Sequence, residues 1–135
     1  MLNYPCLDKT MSTESMRIYT DTPVWNATMH RKLFDLMMPS LDESTLPYFD
    51  MVNQTDFEGL CDAYIEVEQY DCLHDQGVNY AHILKEQGYE VTLNDMKGTF
   101  HAFDQNQKLN VSKDVMKLRC ECVRNAFDKN KEGGK

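Results

Sequence analysis

Hydrophobic positions in the second half of the chain switch between two periods. Ala63-Tyr64-Ile65-Glu66-Val67-Glu68-Gln69-Tyr70 carries β-branched and aromatic residues in alternation, which predicts a strand. Residues 74–87 follow with Val78, Ala81, Ile83 and Leu84 at helical spacing and Gly88 as a C-terminal stop. Tyr89-Glu90-Val91-Thr92-Leu93-Asn94-Asp95-Met96 alternates again as a second strand. After a loop over residues 97–103, a last helix is predicted over residues 112–128, with Val115, Leu118, Cys122, Val123 and Ala126 on one face. Strand, helix, strand, helix of these lengths predicts an α/β fold of parallel strands covered by helices.

The first half is less regular. Leu2–Leu7 reads as a short strand running into a loop, with Pro5 near its end. Residues 8–25 read as irregular, broken at Thr22-Pro23. Asn26 caps a helix through about Met38, stopped by Pro39. Met29, Leu33, Leu36 and Met37 supply its expected core face, the alternative being a flexible, Met-rich pocket wall. Residues 40–61 read as a long loop with a helical turn. Two secure strands and one short one are too few for a complete doubly wound sheet, which usually has five or more. The chain therefore reads as one side of a larger sheet.

At 135 residues, 41% hydrophobic and 27% charged, the composition is that of one globular domain. No apolar run approaches the roughly 18 residues of a membrane span, and no secretory signal opens the sequence. Charge is uneven. Residues 1–40 balance four acids with four bases, residues 41–80 hold ten acids and no base, and residues 81–135 hold eight acids and ten bases. That basic excess is too small for a nucleic-acid footprint, and the acidic middle would repel phosphate and anionic lipid. Its plainest reading is a solvated acidic surface, with a docking site as the alternative. Five cysteines, Cys6, Cys61, Cys72, Cys120 and Cys122, make an odd number without metal-knuckle spacing. They are expected to be free thiols in a reducing cytoplasm.

In open α/β sheets the working residues sit in loops at the carboxyl ends of strands. Two loops stand there, Asp71-Cys72-Leu73-His74-Asp75 and Gly98-Thr99-Phe100-His101-Ala102-Phe103. Adjacent parallel strands would bring Asp71 and His101 to one edge. A carboxylate beside an imidazole is the orienting half of a nucleophilic triad: it fixes the tautomer and stabilises the imidazolium. On spacing alone, the plainer reading is that Asp71 caps a helix and His101 is a structural residue.

These segments resemble the C-terminal part of an α/β-hydrolase esterase of the hormone-sensitive-lipase-like, acetyl-esterase and carboxylesterase group. Leu2-Asn3-Tyr4-Pro5-Cys6-Leu7-Asp8 is similar to that group's strand ending in Tyr-Pro-x-Leu-Asp. Residues 63–77 are similar to its strand followed by Asp-Pro-Leu-x-Asp-Glu/Gln-Gly, with Cys72 in place of Pro. Residues 80–91 match the next helix and strand, and residues 98–103 match Gly-x-x-His-Gly/Ala-Phe. The resemblance covers most of residues 1–105. It implies a partial α/β-hydrolase fold, with residues 1–135 as the C-terminal portion of one domain. It implies Asp71 as triad acid and His101 as triad base, Asp75 as a helix-start residue, and Leu73, Phe100 and Phe103 as acyl-pocket walls or, equally, core residues. The implied activity is a serine esterase acting on short-chain acyl esters, with no metal or organic cofactor.

The group's nucleophile sits in Gly-x-Ser-x-Gly and its oxyanion hole in a glycine-rich loop. Glycine occurs here only at positions 59, 77, 88, 98, 133 and 134, and none of them frames a serine. The expectation is a truncated chain, inactive alone, with Met1 an internal methionine of the full enzyme. The open edge of such a sheet predicts self-association. Two alternatives remain at this level. Asp71, His74 and Asp75, joined by His101, could bind Zn²⁺ or Mn²⁺. Alternatively, the chain could complete the sheet of a partner without catalysis.

Overall fold

The computed structural model describes residues 1–132. Residues 133–135, at the end of the expected domain, lie outside the described residues. The chain divides into two compact units, Leu2–His101 and the residues from Ala102 onward together with Met1.

The first unit holds a three-stranded parallel sheet in the order β1-β2-β3, with β1 at Leu2–Asn3, β2 at Ala63–Glu68 and β3 at Val91–Met96. The α/β class with parallel strands is as expected from the pattern. β2 and β3 pair along six residues, Ala63 opposite Val91 through Glu68 opposite Met96. β1 pairs over two only, Leu2 with Ile65 and Asn3 with Glu66. It is shorter than the expected 2–7 because Tyr4 turns into the left-handed region at φ 41°, and Pro5 has no amide hydrogen to extend the ladder.

Between β2 and β3 runs α3, His74–Glu86, which ends where Gly88 takes φ 90°. Its buried residues, Gln76, Gly77, Tyr80, Ala81 and Leu84, face the sheet. The approach is close at Gly77, where a Cβ would lie 2.3 Å from Val67 Cγ1, so only glycine fits. Ile65, Val67, Tyr80, Ala81 and Leu84 form the main core with Leu7 and Phe57. On the opposite face of β2, the buried Glu66 carboxylate accepts from the Tyr64 hydroxyl at 2.5 Å and from Asn94 Nδ2 at 3.2 Å.

α2, Ala27–Met37, starts at the expected cap: Asn26 Oδ1 accepts from the Met29 amide at 3.0 Å. Its buried face differs from the expected one. Ala27, His30 and Phe34 are buried, whereas Met29, Leu33 and Leu36 are exposed, Leu36 by 80%. Apolar residues occupy more than one face of this helix, so periodicity alone could not choose between them. A five-residue helix the pattern did not reveal, α1 at Glu14–Ile18, is capped by Thr13. Short 3₁₀ turns at 38–40, 46–49 and 51–53 occupy the expected loop. The acidic stretch is not all surface either: Asp50, Glu66, Glu68 and Asp71 are buried.

In the second unit, a 3₁₀ turn at Phe103–Gln105 precedes α4, Asn110–Glu132. Ser112, Val115 and Arg119 form its buried face, and Arg119 Nη1 pairs with Asp104 Oδ2. Leu118, Val123 and Ala126, expected inside, are exposed. Among the described residues no helix is long and apolar enough to cross a membrane.

Candidate active site

The loops leaving β2 and β3 are stitched together before they deliver any functional group. The Gln69 amide donates to the Met96 carbonyl at 3.0 Å, and the Tyr70 amide to the Thr99 carbonyl at 2.9 Å. The Gly98 amide, in a turn where φ reaches 73°, donates to Gln69 Oε1 at 2.8 Å. These bonds fix the register in which Asp71 meets His101.

Asp71 is fully buried, and its two oxygens have separate tasks. Oδ1 accepts from the Leu73 amide at 2.9 Å, a local turn that starts the path into α3. Oδ2 lies 2.7 Å from His101 Nδ1. An ionised carboxylate only accepts, so in the neutral ring the proton sits on Nδ1, and Nε2 keeps its lone pair. Asp71 is thus a turn residue through one oxygen and the imidazole's partner through the other, but not the helix cap that spacing offers: the N-cap of α3 is Leu73, with no side-chain cap bond.

Support for the acid loop comes from α1. The Ser15 amide donates to Asp75 Oδ2 at 2.8 Å, and the Asp75 amide donates to Ser15 Oγ at 3.2 Å. Ser15 Oγ in turn donates to the Cys72 carbonyl at 2.8 Å. Asp75 therefore serves at a helix start and holds the loop from below. Gln76 Oε1 accepts from the Leu7 and Asp8 amides at 2.9 and 3.1 Å, tying the exit of β1 to α3. Cys72, where the related motif has proline, is buried, and burial together with the neighbouring Asp71 pushes its thiol up to about 12.

His101 is enclosed by aromatic rings that the sequence did not single out. Tyr4 lies against it with ring centroids 4.5 Å apart, and Trp25 at 6.0 Å. Beyond Trp25 is His30, buried, with its ring 4.8 Å from Phe34. Burial is the main force holding the His30 imidazole down to about 4; Asp71 opposes that, while His101 and Arg31 add to it. The only prior signals were a tryptophan beside a helix cap and a tyrosine before a proline.

A cavity of about 410 Å³ opens beside His101. Leu33, Phe34 and Met37 of α2 contribute one wall, Tyr48 and Phe49 another. The pocket-wall alternative for this helix therefore holds for Leu33 and Met37. Leu73 also lines the cavity, whereas Phe100 does not; Phe103 is buried in the 103–105 turn. The metal alternative loses its geometry. His74 faces Asp75 at 2.9 Å and Asp95 at 3.5 Å, apart from the Asp71–His101 pair. Among the described residues no three His, Cys, Asp or Glu side chains converge to hold a metal ion.

The family model described as the alpha/beta hydrolase fold matches residues 1–105. The chain belongs to this family. Among solved structures, this chain of the alpha/beta hydrolase fold is similar to a bacterial heroin esterase, with 26% identity and a TM-score of 0.77 over 92% of this chain and 41% of that one. LAE6, an alpha/beta hydrolase enzyme from the metagenome of Lake Arreo, Spain, is 25% identical with a TM-score of 0.73 over 83% and 36% of the two chains. An esterase of Pyrobaculum calidifontis, 21% identical, shares the fold with a TM-score of 0.75 over 93% and 42%. The hydrolase chain thus spans about two fifths of the length of these structures. No curated protein matches it.

Proposed function

We propose that this chain is the acid–base portion of a serine ester hydrolase, with Asp71 as the triad acid and His101 as the general base. The observation that carries this reading is the 2.7 Å contact of the buried Asp71 carboxylate with His101 Nδ1 beside an apolar cavity. Order along the chain, acid before base, is that of alpha/beta hydrolases. The esterase names of the similar structures support the reaction class.

The 135 residues contain no Gly-x-Ser-x-Gly, so the serine and the oxyanion hole come from sequence beyond these residues. Residues 1–135 then form the C-terminal portion of one catalytic domain. In the complete site, His101 Nε2 takes the serine proton as the serine oxygen bonds to the ester carbonyl carbon. The imidazolium gives that proton to the departing alcohol, leaving an acyl-enzyme. Water, deprotonated by the same nitrogen, then releases the acid and the free serine. Asp71 stays ionised throughout and lowers the cost of the positive ring. The substrates expected are short-chain acyl esters.

The test is complementation. The chain joined to a nucleophile-bearing half of a related hydrolase should hydrolyse short p-nitrophenyl esters. Asp71→Asn should lower kcat by about 10⁴-fold and His101→Ala by about 10⁶-fold. A folded, active fusion whose rate survives both substitutions would overturn the assignment.

A further inference from the structure

His30 has no part in the acid–base pair, yet it is a buried imidazole with both nitrogens engaged. Trp25 Nε1 lies 3.3 Å from His30 Nδ1. An indole N–H can only donate, so Nδ1 is the bare acceptor and the ring's one proton is on Nε2. That nitrogen is 3.7 Å from Cys6 Sγ, a weak acceptor. The chain Trp25 to His30 to Cys6 therefore runs in one direction, and it holds the indole beside His101 at an interplanar angle of 35°. All four residues line the 410 Å³ cavity.

The cavity's other walls are all aromatic or aliphatic, Tyr4, Phe34, Tyr48 and Phe49 among the rings and Leu33, Met37 and Leu73 among the chains. Among the described residues, no Asp, Glu, Lys or Arg lines it. A carboxylate or ammonium entering it would give up part of its hydration without gaining a counter-charge. A flat ring would gain face and edge contacts with the aromatic side chains of the walls. The volume falls within the usual range for small-molecule sites.

We propose that this cavity binds an uncharged aromatic group of the ester substrate, and that His30 is the positioning residue that sets this preference by locking Trp25. The proposal rests on the esterase reading for its substrate, but binding to the cavity needs no nucleophile. Its failure is therefore separable from failure of the complementation test.

Trp25 is the sole tryptophan, so both its fluorescence and its single indole N–H resonance report on the site alone. The 135-residue chain should show saturable fluorescence quenching by 4-nitrobenzyl alcohol. 4-Nitrobenzoate, the same ring bearing a charge, should bind at least tenfold more weakly. His30→Leu should shift the indole N–H signal upfield and weaken the neutral probe about tenfold. His30→Gln, which keeps an acceptor, should restore both. Leu33→Trp, at a half-exposed cavity wall, should block binding while leaving the fold intact, its signal being read by NMR of the Trp25 indole. Equal binding of the two probes, linear quenching without saturation, or unchanged binding in both His30→Leu and Leu33→Trp would overturn the proposal.

Discussion

Asp71 and His30 show how burial assigns opposite duties to ionisable side chains a short distance apart. Asp71 is tolerated inside because an amide and an imidazole satisfy its oxygens. His30 is tolerated because it is neutral. That neutrality has a pH signature. Its pKa falls from 6.5 in the unfolded chain to about 4 when folded, so between those values the unfolded state binds more protons. The stabilisation is complete above pH 6.5 and is lost as the pH falls toward 4. By pH 5 the wild-type chain should have lost on the order of 2 kcal/mol relative to His30→Gln. Denaturant titrations of both proteins at pH 7 and pH 5 check this; parallel losses would contradict it. At this scale the sequence was half legible. Asp71 and His101 sit in motifs that announce themselves. Tyr4 and Trp25 reach His101 from segments far away in sequence, with His30 behind Trp25, and nothing local in those segments records that meeting.

At the level of elements, legibility followed how local the cause was. The Asn26 cap, the Gly88 stop and the alternation in β2 and β3 are all short-range signals, and each element formed within a few residues of its expected bounds. The buried face of α2 depends on what packs beside it, and there Ala27, His30 and Phe34 are buried while the apolar Met29 and Leu36 are left exposed. α1 is too short for a periodic pattern; its anchor, Ser15 on Asp75 and Cys72, is tertiary. The contact of α3 with β2 makes a sharper prediction. Gly77→Ala would gain up to about 1 kcal/mol of helix propensity but place a methyl against Val67 Cγ1. Overpacking of this kind costs about 1–3 kcal/mol, so the variant should be less stable in urea. A variant as stable as wild type would show that α3 can shift away from the sheet freely.

On the scale of the whole molecule, what the sequence conveyed best was incompleteness of the sheet. Three parallel strands are present among the described residues, where a doubly wound sheet usually has five or more. The strand lengths add a consequence of their own. β2 and β3 are joined along six residues, but β1 is held through two, followed by the Tyr4 amide on the Glu66 carbonyl at 2.8 Å. Local opening follows the number of contacts that must break, so β1 should open far more often than the pair beside it. Hydrogen exchange should find the Tyr4 amide exchanging orders of magnitude faster than the amides of β2; equal protection would mean that the strands open as one. An opening of β1 would carry the Tyr4 ring away from His101. His101 would then keep Trp25 as a ring neighbour while the Tyr4 contact came and went with β1. As temperature rises, the surroundings of His101 should turn wet well before the core between α3 and the sheet gives way.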